Sequence, residues 1–112
     1  MTYSTQNPLI VEAVRVLKAG GVAAIPTDTV YGLAVRAFDR SAIAKVFGIK
    51  GRNSKTPLPL LLGDIDMMWQ CVDASSDAAM LLATTFWPGP LTIVVPKSDR
   101  VSDELTGGSP AV

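Results

Sequence analysis

The chain contains no histidine and a single cysteine, Cys71, among its 112 residues. A zinc site built from histidine and cysteine is therefore excluded, because such sites need three or four of these ligands. One cysteine cannot form an internal disulfide, and without a histidine partner it is not expected to act as a nucleophile. Cys71 is predicted to pack in the core of a protein from a reducing compartment, so a cytoplasmic location is expected.

Net charge and long apolar runs are also missing. Ten basic and ten acidic residues cancel, which leaves no overall field to attract nucleic acid. No apolar run reaches membrane-spanning length, and the first residues lack the basic-then-apolar order of a signal peptide. No membrane partner is therefore expected. The length and apolar content fit one domain with a modest core, spanning residues 1–112.

Apolar periodicity predicts an α/β fold. Helices are expected where apolar residues recur at helical spacing behind a capping residue, and strands where short apolar runs lie between turn residues. The predicted helices begin at Asn7-Pro8, Ser41, Asp64, Ser75 or Ser76, and Ser102, and the predicted strands are 22–25, 30–35, 58–62 and 91–95. In the helix after Ser41 the inward face is Ile43, Val46 and Phe47; in the fourth helix it is Ala79, Leu82, Ala83 and Phe86.

The richest candidate site is segment 24–34, which reads Ala-Ile-Pro-Thr-Asp-Thr-Val-Tyr-Gly-Leu-Ala. Small hydroxyls at a strand end can hydrogen-bond a small polar ligand, and glycine lets the backbone approach it closely. Two simpler interpretations stand beside this one. Thr27 and Thr29 could cap the loop through backbone hydrogen bonds, and Asp28 could stabilise a turn rather than orient a ligand or metal.

A basic loop follows, reading Lys-Gly-Arg-Asn-Ser-Lys-Thr-Pro-Leu-Pro from Lys50. Lysine offers a point charge and arginine a planar fork, so Lys50 and Arg52 together could neutralise adjacent phosphate oxygens. The order of a Walker phosphate loop is absent. A solvated basic surface is the alternative, and it accounts well for Arg36, Arg40 and Lys45. A third block, 86–95, joins a helix end to a strand as Phe-Trp-Pro-Gly-Pro-Leu-Thr-Ile-Val-Val.

Together the three blocks resemble the YrdC-like family of threonylcarbamoyl-AMP synthases, through Pro-Thr-Asp-Thr-x-Tyr-Gly-Leu, Lys-x-Arg-x-x-x-x-Pro-Leu and Trp-Pro-Gly-Pro-Leu-Thr. The resemblance implies a twisted open mixed sheet flanked by helices. It also implies that L-threonine, bicarbonate and ATP form threonylcarbamoyl-AMP and pyrophosphate for a tRNA modification. Family domains are longer, so the chain is expected to be a partial domain, truncated at the C-terminus. Whether it is an enzyme by itself therefore stays open.

The family's functional residues carry over by motif match. The resemblance implies catalytic roles for Lys50 and Arg52, threonine binding by Thr29 and Tyr31, and nucleotide binding by Lys50, Arg52, Thr56 and Thr92. ATP would be a substrate that brings Mg²⁺ with it, and no protein-bound metal is expected. The chain departs from its relatives at two positions: Leu61 stands where many have histidine, and Pro96 stands where some have arginine.

Two other functions remain open at this point. The first is a non-catalytic module that binds double-stranded RNA or tRNA through shape and phosphate contacts, which would make binding steeply salt-dependent. The second is a relic that folds but binds neither RNA nor ATP. A missing part of the sheet would also leave an open edge, so self-association into a homo-oligomer is expected.

Overall fold

A computed structural model of the chain describes residues 7–27, 29–51, 55–73 and 77–112. The chain divides into two compact units, Met1–Arg52 and Asn53–Val112. The described elements are five α-helices, a 3₁₀ turn and one small antiparallel sheet, which confirms the α/β class. The assignment of all 112 residues to one domain stays a prediction. No helix within the described ranges combines the length and apolar character needed to cross a bilayer.

The two helices of the first unit are α1, Pro8–Lys18, and α2, Arg40–Lys50. The predicted start of α1 is confirmed, because Asn7 Oδ1 accepts a hydrogen bond from the Leu9 amide at 2.9 Å. The predicted cap of α2 is wrong. Asp39 Oδ1 accepts from the Ala42 amide at 3.0 Å, and Ser41 lies inside the helix. Asp39 takes the role because it stands where the backbone is still extended.

The sheet consists of β1, Ala23–Pro26, and β2, Tyr31–Ala34. The strands are antiparallel, with Ala23 opposite Ala34 and Pro26 opposite Tyr31. This arrangement confirms that the polar loop of segment 24–34 lies between two strands. The buried face of α2 is also confirmed, since Ile43, Val46 and Phe47 are buried there together with Ala42.

The second unit contains a 3₁₀ turn, Ile65–Met67, followed by three helices. These are α3, Met68–Cys71, α4, Asp77–Phe86, and α5, Asp103–Thr106. One hydrophobic cluster of its core has three buried side chains with partly buried neighbours: Met68, Val72 and Ala83, packed against Leu62, Met80, Trp87, Ile93 and Val95.

The predicted inward face of α4 is only half right. Ala79 and Ala83 are buried, whereas Leu82 is 40% exposed and Phe86 is 55% exposed. The helix therefore packs through its two small residues, which allow close approach, and through the partly buried Met80, while Leu82 and Phe86 face outward. The predicted starting residues Ser75 and Ser76 lie outside the described residues.

Two predicted strands, 58–62 and 91–95, are wrong in the described structure, because neither forms a sheet ladder. The Leu58 amide donates to the Leu105 carbonyl at 2.8 Å instead of to a strand, and Pro59 has no amide to donate. In the other segment only Val95 pairs, exchanging two hydrogen bonds of 2.9 and 3.0 Å with Val112. Leu61 and Val94 remain 70% and 73% exposed. Self-association through such edges stays a prediction.

Candidate functional site

The turn between β1 and β2 is organised by the hydroxyl of Thr27. This hydroxyl donates to the Val30 carbonyl, and its oxygen accepts from the Val30 amide at 3.2 Å and the Thr29 amide at 3.4 Å. The Thr27 amide also donates to the Val30 carbonyl, at 3.2 Å. The Thr27 side chain thus links the first residue of the turn to Thr29 and Val30, which is the loop-capping role considered for Thr27. Asp28 lies outside the described residues.

Thr29 and Tyr31 are both exposed at this end of the hairpin. The hydroxyl oxygens of Thr29 and Thr27 lie 3.5 Å apart, and Thr29 is exposed at the tip. Tyr31 is the first residue of β2 and is 76% exposed. A Cβ added at Gly32 would meet Thr27 Cγ2 at 3.7 Å, an ordinary contact. Packing within the turn does not require this glycine, so its close-approach role toward a ligand stays a prediction.

Lys50 is the last residue of α2, and it is exposed. Gly51 follows in the left-handed conformation, with φ of 63°, and its amide donates to the Phe47 carbonyl. The Lys50 charge complements the partial negative charge of the helix C-terminus. Arg52 lies outside the described residues, so its cooperation with Lys50 stays a prediction.

A cavity of about 310 Å³ lies within the second unit. It is lined by uncharged residues from three segments of the chain: Pro57, Leu58, Pro59, Thr92, Val94, Thr106, Ser109, Ala111 and Val112. The structure thereby brings Thr92 to the segment that directly follows Thr56, which is exposed. A volume of this size is at the lower end for small-molecule sites.

The lining includes a polar group that the sequence did not single out. Thr106 is 1% exposed, and its Oγ1 has no hydrogen-bond partner among the described residues. Buried hydroxyls are normally paired, because an unpaired one costs free energy when it loses water. No periodicity marks Thr106 in the sequence. The Gly107-Gly108 pair that follows it was the only available signal.

Titratable and metal-binding groups in the described ranges contribute little to a site. The described ranges contain no group of three or more histidine, cysteine, aspartate or glutamate residues arranged to hold a metal ion. Cys71 is buried, its thiol donates to the Met67 carbonyl at 3.6 Å, and burial raises the pKa of this thiol. A protonated, buried thiol is a poor nucleophile, which agrees with the packing role predicted for Cys71.

Comparison with known proteins gives a consistent result. A model of the Sua5_yciO_yrdC family, described as telomere recombination, matches residues 15–112. The threonylcarbamoyl-AMP synthase of Bacillus subtilis is 38% identical over 106 residues, which are 94% of this chain and 31% of that protein. The synthase of Pyrococcus abyssi is 39% identical over 92 residues, covering 82% of this chain and 27% of that protein.

Among solved structures, the crystal structure of P. abyssi Sua5 complexed with L-threonine matches with a TM-score of 0.87 and 38% identity. The match covers 90% of this chain and 30% of that one. The chain therefore spans less than a third of the length of these relatives.

Proposed function

The chain belongs to the Sua5_yciO_yrdC family, and on that premise we propose that it contributes the threonine-binding turn and a nucleotide-binding cavity to a threonylcarbamoyl-AMP synthase. The observation that carries the proposal is the likeness to a relative crystallised with L-threonine, at 38% identity over 90% of this chain. The exposed hydroxyl of Thr29 and the cavity beside Thr92 supply polar and apolar contacts of the kinds these ligands need.

The proposed reaction has two steps. The amine of threonine adds to bicarbonate and water leaves, which gives a carbamate. A carbamate oxygen then attacks the α-phosphorus of ATP, and the bond to the bridging oxygen breaks to release pyrophosphate. Both reactants are anions, so the site has to screen their repulsion and stabilise the charge that develops on pyrophosphate. Mg²⁺ would arrive as part of the ATP substrate.

In this proposal Lys50 and Arg52 neutralise the negative charge of the reacting phosphates, while Thr56 and Thr92 hold the nucleotide. Lys50 suits the role because it is exposed and ends a helix whose other face is buried in the first unit. Thr29 and Tyr31 would hold the threonine. Little covalent chemistry is required of the protein, because positioning and electrostatics can carry this kind of transfer.

Threonine binding tests the first half of the proposal. Titration of the isotopically labelled chain with L-threonine is expected to shift the amide signals of Thr29 and Tyr31 saturably. Thr29→Val should weaken binding about tenfold, as expected when a hydrogen bond to a charged ligand is lost. Thr85→Val, an exposed position on α4, is the matched control and should bind within about twofold of the wild type. Binding of L-valine as tight as that of L-threonine would contradict the proposed role of the hydroxyls.

ATP binding tests the second half, and the chain offers a close control. Lys18 and Lys50 each end a helix of eleven residues, so both substitutions remove the same favourable helix-end charge. Lys50→Met is expected to weaken Mg-ATP binding about tenfold, and Lys18→Met to leave it within about twofold. Equal losses in the two variants would show that Lys50 has no specific contact with the nucleotide. Pyrophosphate release that requires all three substrates would then establish turnover.

A further inference from the structure

We propose that Gly107 is a positioning residue for the nucleotide-binding segment 55–58, holding Thr56 and the adjoining cavity wall in place by direct backbone contact. The inference rests on the proposed function, because it assigns the contact to the nucleotide site. It concerns only the second unit, in which all of these residues lie.

The first observation is the closeness of Gly107 to Lys55. A Cβ added at Gly107 would lie 2.2 Å from the Lys55 carbonyl oxygen, 2.6 Å from its carbonyl carbon and 3.0 Å from its Cα. All three atoms belong to the backbone, so no side-chain rotation could relieve the overlap. Gly107 also has φ of 65°, a conformation that other residues adopt rarely. Glycine is thus required here on two separate grounds.

A second contact fixes the other end of the same segment. The Leu58 amide donates to the Leu105 carbonyl at 2.8 Å. The end of α5 therefore holds the chain at Lys55 and again at Leu58, and Thr56 lies between these two points. Because both contacts are made by backbone atoms, they restrict the path of the backbone that carries Thr56.

Residues next to these two contacts also line the cavity. Thr106, which directly precedes Gly107, is one of the residues that line the cavity, and Pro57, Leu58 and Pro59 line it as well. If a Cβ added at position 107 displaced Lys55, this proline-rich wall would therefore move relative to Thr106. We expect such a displacement to weaken nucleotide binding without affecting the turn that presents Thr29, because that turn belongs to the other unit.

Gly108 provides a matched control. It has φ of 86°, so an alanine there suffers the same kind of backbone strain, but an added Cβ would meet nothing within 4 Å. The comparison of Gly107→Ala with Gly108→Ala therefore isolates the contact with Lys55 from the cost of the left-handed conformation.

The experiment measures amide shifts of residues 55–58 and dissociation constants for Mg-ATP and L-threonine in the wild type and both variants. Gly107→Ala is expected to move those amide signals and to raise the ATP constant at least tenfold, with the threonine constant within twofold. Gly108→Ala should leave all three close to the wild type. Equal ATP affinity in the two variants overturns the inference and leaves the proposed function standing. A wild type that does not bind ATP overturns both.

A measurement on the wild type covers the case in which Gly107→Ala does not fold. If the end of α5 holds the nucleotide segment, saturating Mg-ATP should slow hydrogen exchange of the Leu58 amide at least threefold, because this amide forms the second contact. Exchange of Leu58 that does not change when ATP is bound would overturn the inference.

Discussion

Removal of the Thr27 hydroxyl is expected to destabilise the turn that presents Thr29. Thr27→Val keeps the branched shape and deletes only the hydroxyl. The deleted group donates a hydrogen bond to the Val30 carbonyl and accepts two more, of 3.2 and 3.4 Å, from the Val30 and Thr29 amides. The turn is exposed, and the Val30 carbonyl keeps the Thr27 amide as a donor, so water and backbone compensate in part. We estimate a loss of about 1–2 kcal/mol in the free energy of unfolding.

The assay combines urea unfolding with hydrogen exchange of the Thr27 amide, which keeps the Val30 carbonyl as its acceptor in the variant and should exchange roughly tenfold faster for each 1.4 kcal/mol lost. Thr27→Ser restores the hydroxyl, and we expect it to stay within about 0.5 kcal/mol of the wild type. The reasoning fails if Thr27→Val is as stable as the wild type. It fails equally if Thr27→Ser loses as much as Thr27→Val, because the effect would then come from the methyl group rather than from the hydrogen bonds.

Three further predictions follow from the described contacts. Asp39→Ala should cost about 1 kcal/mol in thermal or urea unfolding, whereas Ser41→Ala should cost less than about 0.5, since Asp39 caps α2. Ile43→Ala should cost about 3 kcal/mol, and Ile49→Ala, 63% exposed on the same helix, less than about 0.5; similar losses would contradict the assigned core. Cys71 should react with iodoacetamide only slowly until urea unfolds the chain. Because burial raises the pKa of this thiol above its ordinary value, the folded state keeps a proton that the unfolded state releases, so stability should fall as pH rises through the range in which an exposed thiol ionises.

Elements with strong local signals could be predicted from the sequence. Asn7 followed by Pro8 fixes the start of α1, and the left-handed Gly51 fixes the end of α2. The choice between Asp39 and Ser41 as the cap of α2 could not be made, because both residue types are good caps and the chain enters the helix two residues earlier than the pattern indicated.

Pairing between distant segments could not be predicted. Residues 58–62 alternate between partly buried and exposed, as a strand would, but this pattern does not reveal whether a neighbour supplies hydrogen bonds. The same limit applies to the candidate site. The presence of Thr29 and Tyr31 near one turn could be predicted because the turn is local, and their binding roles stay a prediction from the motif match. Gly107 and Lys55 meet only through the fold, and neither residue type alone indicates the contact.

The mutual hydrogen bonds between Val95 and Val112 have a practical consequence for protein engineering. Any sequence spliced onto residue 112 in extended form starts in a defined register, so its second added residue would face Ile93 across a new antiparallel ladder. A designer can therefore use the exposed edge at Val94 as a template for a grafted strand.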